Sequence, residues 1–290
     1  MAEPAPRPER TPQAALLPDG RRLHLQDGPI DLIVEASGEA DAVKAAYRAA
    51  TKRLHGLLDG LCLELPLLRS ACGAVPDHPV GKRMHAAVLP YASDGFITPM
   101  AAVAGSVADE ILSAMIEAAP LARAYVNNGG DIALHLVPGE TFRVGLVDRP
   151  ERPGLFGRSE IRAGDGVRGI ATSGRRGRSF SLGIADAVTV LAATAAEADA
   201  AATVIANAVD LPGHPAVTRK PARELQPDSD LGERPVTVEV GPLEPDEVAA
   251  ALDTGRRLAE EFVAPGRIRA AALHLAGRTV IAGAMPRLLS

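Results

Sequence analysis

The chain has 290 residues, of which 47% are hydrophobic and 23% charged, so it is long and apolar enough to bury a substantial core. Its net charge of −5 and its aromatic content of 3%, without tryptophan, exclude a general electrostatic or stacking case for nucleic-acid binding. Because no apolar run has the length of a membrane span or of a signal core, we expect a cytoplasmic protein that binds small molecules or other proteins and no membrane.

The N-terminal part of the chain predicts a tail, two strands and a helix. Pro, Glu and Arg dominate residues 1–18, which predicts a disordered tail, with order beginning near Arg21. Alternating apolar residues from Leu23 and a β-branched run from Ile30 predict two strands. Apolar residues at helical spacing then predict a helix over residues 39–58.

Prolines and glycines divide the middle of the chain. Residues 72–99 show no sustained apolar period, which predicts loops around a short strand over residues 85–89. Small residues dominate a predicted helix over residues 100–119. Three strands joined by tight turns are predicted to form an antiparallel meander, over residues 125–127, 132–137 and 142–147.

The C-terminal half mixes strands and helices irregularly. Strands are predicted over residues 169–173 and 188–192, a helix over 197–209, a polar connection over about 210–235, a strand over 236–240, a helix over 245–262 and a strand over 268–282. This order favours an α+β fold over a doubly wound parallel sheet. We expect one domain, residues 19–290, with antiparallel sheets packed against helices.

A glycine turn is the first candidate site. Asn128, Gly129, Gly130 and Asp131 separate two predicted strands, which is a strong signal for a tight hairpin. The two glycines would also let a ligand lie against bare backbone N–H groups while Asp131 binds a sugar or an amide. A plain turn and a ligand site both stay open on these residues alone.

Hydroxyl and guanidinium groups follow the predicted strand at residues 169–173. The strand ends in Thr172, Ser173 and Gly174, and three arginines come next, namely Arg175, Arg176 and Arg178. Guanidinium groups bind phosphate through paired hydrogen bonds, so this segment could hold a pyrophosphate. An exposed, arginine-rich loop is the alternative.

Asp199 and Thr203 form a third candidate pair. They stand four residues apart in a predicted helix and therefore project from one helix face. A carboxylate beside a hydroxyl suits Mg²⁺, which takes oxygen ligands and completes its shell with phosphate and water. An Asp near a helix start also has a purely structural use, because it stabilises the helix dipole.

Taken together, the motifs resemble the ApbE-like superfamily of Mg²⁺-dependent FAD:protein FMN transferases. They occur in the order Gly-Gly-Asp at 129–131, Thr-Ser-Gly at 172–174, Thr-Val at 189–190 and Asp-x-x-x-Thr at 199–203. The small-residue run at 101–111 resembles the helix start of that superfamily. From about Leu17 onwards the chain resembles an uncharacterised cytoplasmic branch of it.

The resemblance implies an ApbE-like fold, with FAD as the flavin nucleotide and Mg²⁺ as the metal. It implies that Asp199 and Thr203 coordinate the metal, with help from the backbone carbonyl of Ala104. The flavin nucleotide would then contact two motifs and an arginine, namely Asn128, Gly129, Gly130, Asp131, Thr172, Ser173, Gly174 and Arg178. A second protein would be the acceptor, and the alanine-rich composition is compatible with a homodimer.

Two departures from the transferases keep other functions open. The transferases carry a Lys where this chain has Gly105 or Ser106, and a His-Ile-Ile-Asp-Pro-like segment where residues 178–186 contain neither His nor Pro. Asp186 is the candidate replacement carboxylate, and a role at a strand edge or as a cap is its alternative. Besides Mg²⁺-dependent FAD processing, the sequence leaves open a non-catalytic flavin or nucleotide-binding module and an unrelated small-molecule enzyme using the same cleft.

Overall fold

A nine-stranded antiparallel sheet forms the centre of the protein in the computed structural model, which describes residues 11–71, 73–93, 95–147, 155–286 and 288–289. In chain order the strands are β1 (Gln13–Leu16), β2 (Leu23–Asp27), β3 (Ile30–Ser37), β4 (Arg123–Asn128), β5 (Asp131–Leu136), β6 (Thr141–Val147), β7 (Leu155–Arg162), β8 (Gly169–Ser173), β9 (Ala187–Ala192), β10 (Val217–Pro221), β11 (Pro235–Val240), β12 (Ala270–Leu275), β13 (Arg278–Gly283) and β14 (Leu288–Leu289). The large sheet has the order β1-β2-β3-β4-β5-β8-β9-β12-β13, and two smaller sheets contain β10-β11 and β14-β7-β6.

Helices fill the segments between these strands. They are α1 (Ala40–Leu54), α2 (Leu57–Leu63), α3 (Leu65–Leu68), α4 (Pro79–Val88), α5 (Val103–Ala118), α6 (Ala195–Ala208), α7 (Ala222–Leu225) and α8 (Pro245–Val263). A 3-10 turn, Pro99–Ala102, leads directly into α5. The segment Pro99–Ala118 is long and apolar enough to cross a membrane by length and composition, but half of it is buried here, and it packs in the core.

The long helices and the β6-β7 sheet cover opposite faces of the large sheet. Val188 and Leu273 belong to the core shared with α6 and α8. Leu134 and Ile170 instead pack against residues of β6 and β7. Side chains alternate between the two faces along each strand, so one face supports helices and the other supports the small sheet. Antiparallel sheets packed against helices confirm the predicted α+β class.

The predicted strand at residues 85–89 is wrong, because this segment contains the end of α4 and the first residue of a 3-10 turn, Leu89–Tyr91. Pro79 occupies the first turn of that helix, where a missing backbone N–H costs nothing, and the His78 side chain accepts a hydrogen bond from Val80 N at 3.3 Å. Pro79 therefore marks a helix start. Val80 and Met84, four residues apart, are both buried on one face of this helix.

Two further expectations for the N-terminal half need correction. Strand β1 lies within the predicted tail 1–18 and pairs with β2, so order begins before Arg21; residues 1–10 lie outside the described part of the chain. The expected meander of three strands stops after two. Strand β6 pairs with β7 in the small sheet, while β5 pairs with β4 and β8.

The C-terminal half also contains more structure than expected. The predicted polar connection at 210–235 includes β10 and α7, and β10 pairs with β11. The single strand predicted at 268–282 is a hairpin of β12 and β13. Its turn contains Ala276 with a positive φ of 48°, a conformation that the sequence pattern does not announce.

Candidate functional site

Asp131 and Asp199, which belong to separate motifs, lie together between the large sheet and helix α6. Asp131 begins β5 and Asp199 lies in α6, and both residues are half-buried. Burial raises the pKa of Asp199 well above its ordinary value, and the charge of Asp131 raises it further. Burial also raises the pKa of Asp131 to about 7, against the opposing effects of the Thr172 N–H group and Arg178. Two carboxyl groups thus share one poorly solvated place.

Backbone groups at the start of α5 also contact the residues of this site. The backbone N–H of Gly105 donates to Asp199 Oδ2 at 2.9 Å. On the neighbouring β4-β5 turn, the buried Asn128 side chain donates from Nδ2 to the carbonyl oxygen of Ala104 at 3.1 Å. The structure therefore brings Ala104, Asn128 and Asp199 together, and Asn128 fixes the direction of the carbonyl that the resemblance assigns to the metal.

The glycine turn lies directly under an arginine. Gly129 and Gly130 have positive φ angles of 67° and 115°, and Gly130 N donates to Asn127 Oδ1 at 2.8 Å. A Cβ placed on Gly129 would lie 2.5 Å from Arg178 Nη2, so a side chain there would displace the guanidinium group. Arg178 also acts to lower the pKa of Asp131. The turn, the carboxyl group and the predicted phosphate-binding arginine are thus neighbours.

The two hydroxyl groups of β8 face opposite sides of the sheet. Thr172 N donates to Asp131 Oδ1 at 3.3 Å, but the Thr172 hydroxyl bonds to Thr189 Oγ1 at 2.9 Å. Since strand neighbours alternate, Ser173 points to the side where α6 lies, together with its partner Val188. Thr172 therefore contributes its backbone to the site, and Ser173 is placed to contribute a hydroxyl.

Asp186 lies in a separate, fully occupied ion-pair network. Its carboxylate contacts Arg175 at 2.6 Å and Arg176 at 2.7 Å, and it accepts a hydrogen bond from Ala276 N at 2.7 Å. Although burial acts to raise it, the Ala276 N–H group and the two arginines hold the pKa of Asp186 below its ordinary value. This arrangement matches the structural alternative for Asp186, since it ties the arginine loop to the β12-β13 turn.

Gly174 and Thr203 occupy the margins of the site. Gly174 has a φ of 140°, and a Cβ on it would lie 2.8 Å from the Asp186 carbonyl oxygen, so this glycine allows close backbone packing. Thr203 is half-buried on α6, one turn beyond Asp199. Spacing puts both α6 side chains on one helix face.

Helix α6 begins in unusually close contact with its neighbours. A Cβ on Gly105 would lie 2.3 Å from the Ala195 carbonyl oxygen, and a Cβ on Gly169 would lie 1.9 Å from the Thr194 carbonyl oxygen. Position 105 therefore has no room for the lysine of the transferases. Ser106, the other candidate for that position, is fully buried.

The sequence motifs did not include Asp109, which joins α5 to α6. Its two oxygens accept hydrogen bonds from Ala195 N at 3.1 Å and Ala196 N at 2.9 Å. Burial raises the pKa of Asp109 to about 6, although these two N–H groups act to lower it. A signal was present: Asp109 follows Gly105 by four residues, which puts a charge on the same apolar face of a small-residue helix.

The candidate site is poor in metal-ligating side chains and lies apart from two surface cavities. Within the described ranges, no group of three or more His, Cys, Asp or Glu side chains converges as a metal site would require. Two surface cavities of about 570 and 550 Å³ lie elsewhere, one beside the β5-β6 turn and one beside α1. Protein ligands for a cation at Asp199 would therefore have to include hydroxyl or carbonyl oxygens.

Relatives of the chain are found among archaeal proteins. A UPF0280 protein of Methanothrix thermoacetophila is 38% identical over 141 residues, which cover 45% of this chain and 52% of that protein. A UPF0280 protein of Methanosarcina acetivorans is 29% identical over 222 residues, which cover 73% and 80%. The match thus spans about half the length of the first relative.

Over nearly its whole length the chain is similar to a solved structure and to a protein-family model. The crystal structure of the ApbE protein of Thermotoga maritima is 13% identical, with a TM-score of 0.49, over 93% of this chain and 97% of that one. The model of a protein family described as AbpE bacteria matches residues 14–281. Because this match runs from β1 to β13, the protein belongs to the AbpE bacteria family, the ApbE-like branch that its motifs resemble.

Proposed function

We propose a cytoplasmic protein that binds FAD together with Mg²⁺ where Asp131, Asp199 and Arg178 meet, and that processes the flavin nucleotide there. One observation carries the proposal: the Gly-Gly-Asp, Thr-Ser-Gly and Asp-x-x-x-Thr motifs meet the small-residue start of α5 at one place in the fold. Asp199, for example, contacts Gly105 across a separation of 94 residues. Membership of the AbpE bacteria family supports the same interpretation.

The groups present fit a divalent cation. Asp131 raises the pKa of Asp199, so the two carboxyl groups repel each other when both are ionised. A cation would relieve this repulsion, and Mg²⁺ prefers oxygen ligands. Asp199, Thr203 and the Ala104 carbonyl would hold the ion. When bound, it would supply positive charge that stabilises the pyrophosphate while a phosphorus–oxygen bond breaks.

The other residues of the site would position the nucleotide. Arg178 is suited to pair with a phosphate oxygen, since guanidinium and phosphate groups form paired hydrogen bonds. Gly129 leaves no side chain between that arginine and the backbone. A hydroxyl group of a second protein would accept FMN and release AMP, whereas water as the acceptor would make the same site a pyrophosphatase.

A second candidate function is a flavin-binding module without transfer activity. The observation that favours it is the contact of Gly105 with Ala195, which leaves no room for a lysine at one of the two positions, Gly105 or Ser106, where the resemblance implies one. The residues that would bind the nucleotide do not depend on that position. Binding without AMP release would then be the property of the protein.

Titration of metal-free protein with FAD, with and without Mg²⁺, tests the proposal. We expect Mg²⁺-dependent binding and AMP release in the parent, and at least a tenfold weaker Mg²⁺ effect in Asp199→Asn, because a neutral amide is a poor Mg²⁺ ligand. Asparagine keeps an oxygen that can accept from Gly105 N. Glu197→Gln removes a carboxylate from the first turn of the same helix and serves as the matched control.

The outcomes separate the candidate functions. AMP release that disappears in Asp199→Asn but persists in Glu197→Gln supports flavin processing. Binding without release in the parent supports the module instead. Absence of any FAD binding by the parent would rule out both.

The opposite orientation of the β8 hydroxyls gives a second test. Thr172→Val is expected to leave the Kd for FAD within about twofold, while costing about 1 kcal/mol of stability because Thr189 loses its partner. Ser173→Ala is expected to raise the Kd about fivefold, the loss of roughly one hydrogen bond. Isothermal titration and urea unfolding measure the two quantities, and the reverse ranking of the two variants would contradict the assignment of Ser173 to the site.

A further inference from the structure

Helices α5 and α6 cap each other through crossed hydrogen bonds. Asp199 of α6 accepts from Gly105 N in the first turn of α5, at 2.9 Å. Asp109 of α5 accepts from Ala195 N and Ala196 N in the first turn of α6, at 3.1 and 2.9 Å. The first N–H groups of a helix have no partner within the helix, so each helix satisfies those of the other.

Close packing makes this junction sensitive to small shifts. Gly105 lies so near the Ala195 carbonyl that even a methyl group would not fit. Ala102, at the N-cap of α5, has no side-chain acceptor to offer, and Asp199 takes that role for Gly105 N. The separation of the two helices at this end is therefore set by Asp109, Asp199 and the backbone contact.

The metal-binding groups of the proposed function lie at this same junction. Ala104 is on α5, while Asp199 and Thr203 are on α6. We propose that Asp109 is a positioning residue for the metal site: it holds α6 at the distance from α5 at which the Ala104 carbonyl and the Asp199 carboxylate can bind one cation. This inference rests on the proposed function, because it concerns the cation site at Asp199.

Asp109 binds the start of α6 from a different helix, α5, which distinguishes it from an ordinary cap. Thr194 is the N-cap of α6, and its hydroxyl accepts from Glu197 N of the same helix at 3.2 Å. Loss of Thr194 should weaken α6 alone. Loss of Asp109 should also disturb Gly105 and Asp199, because it releases α6 from α5.

Asp109→Asn and Thr194→Ala provide the test, in the full chain. Asparagine offers one side-chain oxygen to two N–H groups, so one of the two hydrogen bonds to the start of α6 is lost. Hydrogen exchange measured by mass spectrometry on peptides covering residues 103–108 reports on the Gly105 amide, and Mn²⁺ binding measured by electron paramagnetic resonance reports on the cation site. We expect Asp109→Asn to speed exchange at Gly105 and to weaken Mn²⁺ binding, each at least tenfold, while Thr194→Ala changes both less than twofold.

Equal behaviour of the two variants in both measurements would overturn the inference. If the parent binds no Mn²⁺, the proposed function fails, whereas hydrogen exchange at Gly105 still decides whether Asp109 controls the junction. If Asp109→Asn does not fold, Asp109→Glu keeps the charge and both oxygens but lengthens the tether. That variant is expected to weaken Mn²⁺ binding with little loss of stability, and unchanged Mn²⁺ affinity in it would contradict the positioning role.

Discussion

Gly169→Ala is expected to destabilise the protein by about 3 kcal/mol or more, the upper range for inserting a carbon atom into a well-packed site. The added Cβ would lie 1.9 Å from the Thr194 carbonyl oxygen and 2.3 Å from Ala195 N. Backbone atoms cannot swing aside as a flexible side chain can. Helix α6 would have to move away from β8, and urea unfolding followed by circular dichroism measures the cost.

Gly164→Ala is the matched control for that substitution. No atom lies within 4 Å of a Cβ placed on Gly164, and its φ is outside the positive range. Its stability should change by less than about 0.5 kcal/mol, as for an unconstrained surface position. Equal losses in the two variants would show that α6 does not depend on close approach to β8.

Asp131→Asn is expected to stabilise the metal-free protein above pH 7 and to have little effect below pH 4. Folding raises the pKa of Asp131 from 3.8 to about 7, so the folded state binds the proton more tightly than the unfolded state. The stability of the parent therefore falls as the pH rises through this interval. Because the asparagine amide is neutral at every pH, the variant does not lose this stability as the pH rises. The substitution also removes the like charge beside Asp199.

The expected gain at pH 8 is on the order of 2–4 kcal/mol, since one pKa unit corresponds to about 1.4 kcal/mol. Thermal unfolding at pH 4, 6 and 8, without divalent cations, measures it. Asp41→Asn is the control, because the Asp41 side chain is 96% exposed. A gain in Asp131→Asn that did not grow between pH 4 and pH 8 would contradict a raised pKa in the folded state.

Elements with a clear local pattern could be predicted from the sequence, including α6, α8 and the β4-β5 hairpin. Elements whose signal was ambiguous could not. Pro79, in the first turn of α4, resembles a loop marker until the spacing of Val80 and Met84 is considered. The pairing partners of the strands are harder to predict than the strands themselves. Alternation of apolar and polar residues gives β6 the same pattern whether it pairs with β5 or with β7.

Residue types and motif order identified most of the candidate site, but not the orientation of each group. Thr172 and Ser173 look equivalent in the sequence, and only the sheet register puts the Thr172 hydroxyl beside Thr189. The sequence does not show that Asp186 forms ion pairs with Arg175 and Arg176, which occupy its carboxylate. The spacing from Gly105 singles out Asp109 as a charged residue on an apolar helix face, but its partners Ala195 and Ala196 depend on where α6 begins relative to α5, which this spacing does not specify.

The contact between Asp199 and Gly105 also has a consequence for folding. It joins residues 94 positions apart, and the Asp109 contact with Ala195 joins residues 86 apart. Closing such long loops costs chain entropy before the contacts at the junction can form. The junction therefore depends on non-local pairing. A chain that ends before α6 has no Asp199 or Thr203. Any ligand that needs these residues together with Ala104 can therefore stabilise only a chain in which α5 and α6 have already come together.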